Sequence, residues 1–210
     1  MKVAYFAQSP GEKAAFIILT EAVLKLQTEP FEHSGLRERG WSAVSAALPA
    51  LLKDLHENTD ADGVVLVMDS DGDAPHLTKH ELPKAAEPKC RLCELRRITR
   101  ETQAQLGPRP GRPPLKIALG LAAPALEAWL LCGVDPQVTE TAWINGFNQA
   151  QIPYTRESLR QKLYGASEPT AEVETEVMKA AATRLVQNFP LFEKLFPHGF
   201  GTLQRNLRNW

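Results

Sequence analysis

Apolar residues form short runs at residues 3–7, 64–68 and 115–119, and the third run is interrupted by Lys116. Runs of this length without alternation are typical of strands that are covered on both faces, as in a parallel sheet. Segments with helical spacing lie between and after these runs. The pattern therefore predicts an α/β fold in which helices flank a mostly parallel central sheet.

Apolar positions three or four residues apart predict the helices. One predicted helix begins at residue 12, and another begins at Pro88 and contains Leu92, Leu95 and Ile98. The other predicted helices span 41–55, 122–131, 156–163, 171–187 and 189 to the last residue. Residues 29–40 lack this period and predict a loop. No clear strand follows Cys132, so the last third of the chain is expected to be helical.

The change of character after Cys132 divides the chain into two predicted parts. The first is an α/β core over 1–135, in which 74–114 forms an irregular insertion and a proline-rich loop. The second is a helical C-terminal extension over 136–210 that packs on the core. A chain of 210 residues is long enough for one good core with such an appendage.

Composition limits the classes of partner. The formal net charge of -1 argues against a strongly basic surface, although a local patch could still bind nucleic acid. Three cysteines, Cys90, Cys93 and Cys132, are too few for a disulfide framework and fit a reducing compartment. The N-terminus has no signal-peptide core and no apolar run approaches the length of a membrane span. We expect a cytoplasmic protein without membrane contact.

An acidic loop follows the second apolar run. Asp69, Asp71 and Asp73 alternate with Ser70 and Gly72 where a buried strand is expected to end. Ligands usually bind at the carboxyl edge of a parallel sheet, and alternating residues of an extended strand end point the same way. Packed carboxylates repel one another unless a cation lies between them, and oxygen ligands suit Mg²⁺ or Mn²⁺. The alternative is a solvated acidic turn.

Two glutamates fall where helices are predicted to follow strands. Glu12 comes three residues after Ser9, with Pro10 between them, which is the arrangement of a capping box, and capping is its local role. Glu127 is the one acid in an otherwise apolar helical segment. An unpaired buried charge costs several kcal/mol, so Glu127 is either a partnered buried acid or a site residue.

His76, His80, Cys90 and Cys93 form a second candidate site with the spacing H-x3-H-x9-C-x2-C. Zinc accepts two imidazoles and two thiolates in a tetrahedral arrangement, and both pairs have spacings found among zinc ligands. If the two cysteines lie on the predicted helix, they share one face and could equally be small core residues.

Arginines concentrate after the acidic loop. They are expected either to form a solvated helix face or, if they surround a metal site, to hold a nucleic-acid backbone. The set is Arg91, Arg96, Arg97, Arg100, Arg109 and Arg112.

Three segments together resemble a known family. They read QSPGE at 8–12, MDSDGD at 68–73 and LEAWLL at 126–131, and KLYG at 162–165 and GFGTLQRNL at 199–207 match more loosely. In this order they resemble Toprim-like proteins, and most of all the small bacterial Toprim-like proteins related to the nuclease domain of the overcoming-lysogenization-defect (OLD) family. The resemblance covers most of the chain and implies a Toprim-like sheet with a helical C-terminal region.

The resemblance also implies a function. Mg²⁺ or Mn²⁺ would be held by Asp69, Asp71 and Glu127, with Glu12 added to the catalytic set, and the reaction would be phosphodiester cleavage in DNA or RNA. Relatives of this type act in anti-phage defence and are often encoded beside an ATPase, which is the implied partner. Gln8 stands where the family has a catalytic Glu, and an amide cannot accept a proton. Either Glu12 takes that role, or the chain is a catalytically silent module that binds a partner or nucleic acid, with or without a zinc staple.

Overall fold

The computed structural model describes residues 1–33, 40–81 and 90–210. In these residues four strands form one sheet in the order β2-β1-β3-β4, and every neighbouring pair is parallel. The strands are β1 (Lys2–Phe6), β2 (Glu29–Phe31), β3 (Gly63–Asp69) and β4 (Lys116–Ala122). The predicted α/β fold with a mostly parallel sheet is confirmed.

Helices account for most of the rest of the described chain. They are α1 (Pro10–Leu24), α2 (Trp41–Glu57), α3 (Arg91–Gln105), α4 (Leu126–Leu130), α5 (Glu140–Asn148), α6 (Arg156–Tyr164), α7 (Ala171–Val186), α8 (Phe189–Leu195) and α9 (Phe200–Arg208), and a 3₁₀ turn spans Thr78–Glu81. None of the helices in the described ranges is long and apolar enough to cross a membrane.

Several predicted boundaries differ from the structure. The predicted loop over 29–40 was wrong at its start, because Glu29–Phe31 forms the edge strand β2. The helix predicted over 122–131 starts only at Leu126, because Ala122 still pairs with Asp69 in the sheet. The predicted final helix is two helices, α8 and α9. Residues 34–39 of the predicted loop and the predicted start at Pro88 lie outside the described residues.

The two faces of the sheet bury two different sets of helices. Alternate strand residues such as Val65 and Val67 face α1, α4, α7, α8 and α9, whereas Val64, Leu66 and Met68 face α2 and α3. The helix α3, which lies within the predicted insertion 74–114, therefore covers one face of the sheet. Helices from beyond residue 135 share a core with the strands. The division into 1–135 and 136–210 stays a prediction.

Candidate functional site

The carboxyl ends of three neighbouring strands bring the predicted acids to one edge of the sheet. Glu12 is in the first turn of α1, which follows β1. Asp69 is the last residue of β3, and Glu127 is in the first turn of α4, which follows β4. Because β1, β3 and β4 are adjacent and parallel, these three side chains converge.

Glu12 is held by the start of its own helix. Its backbone N–H donates to Ser9 Oγ at 3.2 Å, and its Oε2 accepts from the backbone N–H of Gln8 at 2.6 Å. The predicted N-cap at Ser9 is confirmed, although the carboxylate reaches one residue further back than a capping box requires. The capping contact occupies one carboxylate oxygen and fixes the direction of the side chain.

The acidic loop is joined to the connection between β4 and α4. Ser70 N–H donates to the Ala122 carbonyl and Asp71 N–H donates to the Pro124 carbonyl, both at 2.8 Å. Asp69 Oδ1 accepts from the backbone N–H of Leu126 at 2.9 Å, next to Glu127. The prediction that all three aspartates extend in one direction was wrong. Asp71 has a φ of 49°, so the chain turns directly after the strand.

Exposure separates the three aspartates. The side chain of Asp69 is 12% exposed, whereas those of Asp71 and Asp73 are about half exposed, at 47% and 53%. The strand end thus buries the first acid and the turn carries the other two to the surface.

Two arginines face the acidic loop. Arg91, the first residue of α3, donates to Asp71 Oδ2 at 2.7 Å and to Asp73 Oδ2 and the Asp69 carbonyl, each at 2.6 Å. Arg156, the first residue of α6, lies 3.2 Å from Asp69 Oδ2 and 3.3 Å from Asp71 Oδ1. The two guanidinium groups offset the negative charge of the loop.

Glu127 is the most deeply buried acid of the cluster, with 1% of its surface exposed. Its Oε1 accepts from Arg160 Nη1 at 3.0 Å and lies 3.5 Å from the Tyr164 hydroxyl. Arg160 also pairs with Glu174 at 3.4 Å. Glu127 is thus a buried acid with an ion-pair partner on α6, and its role as a site residue stays a prediction.

The acids influence one another's protonation. Burial raises the pKa of Asp69 well above its usual range, and Glu12, Glu127 and Asp71 raise it further, whereas the Arg156 guanidinium lowers it. Burial also raises the pKa of the Glu12 carboxyl, with Glu127 and Glu174 adding to the effect against the Gln8 N–H and Arg156. Because Glu12 and Glu127 both act on the pKa of Asp69, and Glu127 also acts on that of Glu12, we treat the three acids as one electrostatic unit.

The side chains of this unit offer oxygen donors without forming a closed coordination sphere. In the described part of the chain, the one group of histidines, cysteines and acids with ligand atoms within 4.8 Å of one another lies elsewhere. Arg156 stands between the acids, so a divalent cation could enter only if this guanidinium moved aside. The unit therefore supplies carboxylate oxygens beside the guanidinium group of Arg156.

The group with close ligand atoms is His76, His80, Cys90 and Cys93. His76 Nδ1 lies 3.3 Å from the Sγ of Cys90 and 3.3 Å from that of Cys93, and His80 Nδ1 lies 3.5 Å and 3.8 Å from the same two atoms. This cluster can hold a metal ion, and two imidazoles with two thiols suit zinc.

Sequence reasoning missed the residues that α6 contributes. Arg156, Arg160 and Tyr164 are spaced by four residues, which places them on one face of the helix. The spacing is visible in the sequence, but no feature near α6 in the sequence indicates that this face contacts an acidic loop 85 residues earlier.

The arginines that follow the acidic loop in the sequence have different partners in the structure. Arg91 faces the acids, whereas Arg97 pairs with Glu94 and Glu101 on the surface.

Comparisons of the chain with protein-family models, with curated proteins and with solved structures found no match.

Proposed function

We propose that the unit formed by Glu12, Asp69 and Glu127 is the active site of a divalent-metal-dependent enzyme that cleaves phosphodiester bonds in nucleic acid. The observation that carries the proposal is the convergence of these buried carboxylates at the carboxyl ends of three adjacent parallel strands. Structural acids are seldom gathered at such an edge, because each raises the cost of ionising the next. The reaction class comes from the resemblance to Toprim-like proteins.

Carboxylate oxygens are the ligands that Mg²⁺ and Mn²⁺ prefer, so the donor chemistry of the unit fits such an ion. Asp69, Asp71 and Glu127 would hold it, with Asp73 at the exposed margin. Bound there, the ion would polarise a phosphodiester and lower the pKa of water. The raised pKa of Asp69 supports this assignment, because a buried carboxylate with like-charged neighbours gains most from a cation.

Glu12 is the residue that we assign to proton transfer. A carboxylate whose pKa is raised by burial accepts a proton more readily near neutral pH than an exposed one. Gln8 cannot do this, but its backbone N–H holds the Glu12 carboxylate in place. The family's base is thus replaced by the acid four residues later.

The arginines give the site a way to bind the substrate. Arg91 and Arg156 now pair with carboxylates. When a cation takes over those carboxylates, the two guanidinium groups are released to bind phosphate oxygens, which they match in bidentate geometry. Neutralisation of the loop and binding of the backbone would then use the same side chains.

A cleavage assay tests the proposal. Wild type is incubated with single- and double-stranded DNA and RNA in Mg²⁺ or Mn²⁺, beside Asp69→Asn, Glu127→Gln and Glu12→Gln. Asp60→Asn is the matched control, because Asp60 is an acid that pairs with Lys2 at the start of β1, away from the carboxyl edge. We expect cleavage by wild type and the control and a loss of at least about 100-fold in the three variants. Equal rates in wild type and Asp69→Asn would contradict the proposal.

A second candidate is a catalytically silent module that binds a protein or nucleic acid. Two observations favour it: Gln8 in place of the family's acid, and the occupation of the acids by Arg156 and Arg160. A silent module should cleave none of the four nucleic acids with either metal ion, so the same assay separates the two candidates.

The setting of the activity is proposed from the resemblance alone. We propose a cytoplasmic effector of anti-phage defence that works with an ATPase encoded by a neighbouring gene. Repeating the cleavage assay with and without that ATPase and ATP tests this, and the cleavage rate of wild type should rise in the combined sample.

A further inference from the structure

The cluster of His76, His80, Cys90 and Cys93 has the dimensions of an occupied metal site. A tetrahedral zinc ion with Zn–S bonds of about 2.3 Å and Zn–N bonds of about 2.0 Å has N···S edges of roughly 3.5 Å. The four N···S distances in the cluster are 3.3, 3.3, 3.5 and 3.8 Å. Packing of uncharged side chains alone does not require two thiols and two imidazole nitrogens to meet at this spacing.

The surroundings of the cluster also fit a metal. Cys90, Cys93 and His76 are buried, at 4%, 7% and 3% exposed. Two thiolates balance the charge of one Zn²⁺ while the imidazoles stay neutral, so the filled site adds no net charge to the interior. We propose that these four side chains bind one zinc ion in a closed, structural site.

The ligands come from two parts of the chain that both follow the acidic loop. His76 and His80 precede and lie in the 3₁₀ turn after the loop, and Cys90 and Cys93 are the N-cap and third residue of α3. Four protein ligands leave no open position for a substrate, which distinguishes a structural zinc site from a catalytic one. The ion would therefore tie the chain after the loop to the start of α3.

Arg91 directly follows the proposed zinc ligand Cys90. Its guanidinium reaches Asp71, Asp73 and the Asp69 carbonyl, and its side chain is only 12% exposed. Zinc at Cys90 would fix the helix end from which Arg91 reaches the loop. The metal is then a positioning element for the acidic loop and takes no part in chemistry.

One contact must change when the metal binds. Arg96 Nη1 lies 3.4 Å from His76 Nε2. Coordination through Nδ1 leaves the ring proton on Nε2, so both atoms become donors. We expect the Arg96 guanidinium to turn toward Thr202 Oγ1, which already lies 3.2 Å from Nη2.

The test measures metal in the full chain, produced without a histidine tag and washed with a weak chelator. We expect one zinc per chain in wild type and a loss of zinc in the Cys90→Ser Cys93→Ser double variant. Cys132→Ser is the matched control, because Cys132 is an equally buried cysteine that lies in the core on the other face of the sheet. Wild type without zinc, even after refolding with added Zn²⁺, would overturn the proposal, as would a Cys90–Cys93 disulfide in its place.

If the double variant fails to fold, the absorption spectrum of Co²⁺-loaded wild type still tests the proposal. Wild type loaded with Co²⁺ should show the visible bands of a tetrahedral ion and a thiolate charge-transfer band, and Cys132→Ser should show the same spectrum. An octahedral spectrum without the charge-transfer band contradicts the assignment. The result does not depend on the proposed cleavage activity, since zinc can be found in an inactive protein and an active one can lack it.

Discussion

At the scale of a single residue, Asp69 lies where burial disfavours the charged form of its carboxyl group. Its carboxylate ends a buried strand and accepts the Leu126 N–H, and burial raises its pKa against the attraction of Arg156. A protein that needed only a helix cap here could use a neutral side chain at lower cost. The proposed function explains why an acid, rather than a neutral side chain, stands at this position.

The first prediction concerns Asp69→Asn and pH. The folded protein holds the Asp69 proton more tightly than the unfolded chain, so the free energy of unfolding of wild type falls as the pH rises from about 4 through the raised pKa. Asparagine removes this fall. In urea denaturation without divalent ions, the variant should gain stability relative to wild type between about pH 4 and pH 8.

Asp60→Asn is the control, because its effect on the pH dependence of the free energy of unfolding should have the opposite sign. The side-chain hydrogen bond from Lys2 lowers the pKa of Asp60, so the stability from this contact is present at neutral pH and is lost as the pH falls. The control should lose a small amount of stability relative to wild type as the pH rises to about 5, because the pair is exposed, and should then run parallel to wild type up to about pH 8. The same sign for both variants would contradict the description of Asp69.

The second prediction concerns Arg160→Ala. The substitution leaves the Glu127 carboxylate, which is 1% exposed, without its guanidinium partner. We expect a loss of about 3 kcal/mol in urea denaturation, with partial recovery on adding Glu127→Gln. The control is Arg97→Ala, whose partners Glu94 and Glu101 lie on the surface and whose removal should leave the unfolding midpoint nearly unchanged. Equal losses in Arg160→Ala and Arg97→Ala would mean that Glu127 does not depend on its partner.

Residue types in their sequence order predicted part of the site. The strand pattern placed Glu12 and Glu127 where helices follow strands, and the resemblance to Toprim-like proteins grouped them with Asp69. The spacing of the histidines and cysteines identified the possible zinc ligands. The positions of Arg156 and Arg160 could not be obtained in this way, because they depend on where α6 packs after a long connection. Long-range packing leaves no local periodicity in the sequence.

At the scale of the elements, the carboxyl end of β4 depends on close approach by the segment before α9. Glu140, in the first turn of α5, accepts from the backbone N–H groups of His198 and Gly199 at 2.7 and 2.8 Å. A Cβ at Gly199 would lie 2.0 Å from the Leu121 carbonyl oxygen. This contact places α9 against the strand that leads to Glu127.

The third prediction concerns Gly199→Ala. Both atoms of the clash lie on or next to the backbone, so neither can turn away, and we expect a loss of about 2 kcal/mol or more in urea denaturation. Gly201→Ala is the control inside the same segment. Its Cβ would lie 3.2 Å from the end of the flexible Arg205 side chain and at an ordinary contact distance of 3.7 Å from the Phe196 carbonyl oxygen, and alanine favours the helix. Gly201→Ala should therefore lose less than about 1 kcal/mol. A tolerated Gly199→Ala would contradict the close packing of α9 on β4.

Elements with strong periods were predictable and short ones were not. β1, β3, α1 and α2 follow from runs and spacings in the sequence. β2 has three residues at the sheet edge, none of them fully buried, so it carries no apolar pattern. In α5, apart from Glu140, only Trp143 and Gly146 are buried, which is too few to show a helical stripe.

At the scale of the whole molecule, one core joins both ends of the chain to the sheet. Phe16 and Val65 belong to the same buried cluster as Leu159, Phe192 and Leu203. The last residue, Trp210, packs over Gly63 at the start of β3, and its carbonyl accepts from Lys116 Nζ at 2.9 Å. The helices that follow residue 135 thus cover a face that the first 135 residues would otherwise expose to water.

The fourth prediction concerns the cooperativity of unfolding of the full chain. Tryptophan fluorescence and far-ultraviolet circular dichroism should report one coincident urea transition for the full chain, because the core is shared. A fragment of residues 1–135 should lack a cooperative transition of its own. Two separate transitions, or a stably folded fragment, would instead support two independent domains.

The central claim is that the acids at the carboxyl edge take a divalent cation in place of Arg156. Binding of Mn²⁺ followed by electron paramagnetic resonance tests it most directly, because it needs neither a substrate nor a partner. We predict stoichiometric binding by wild type, by Asp60→Asn and by Cys132→Ser, with binding lost in Asp69→Asn. The claim is contradicted if folded wild type binds no Mn²⁺, or if Asp69→Asn binds it as tightly as wild type.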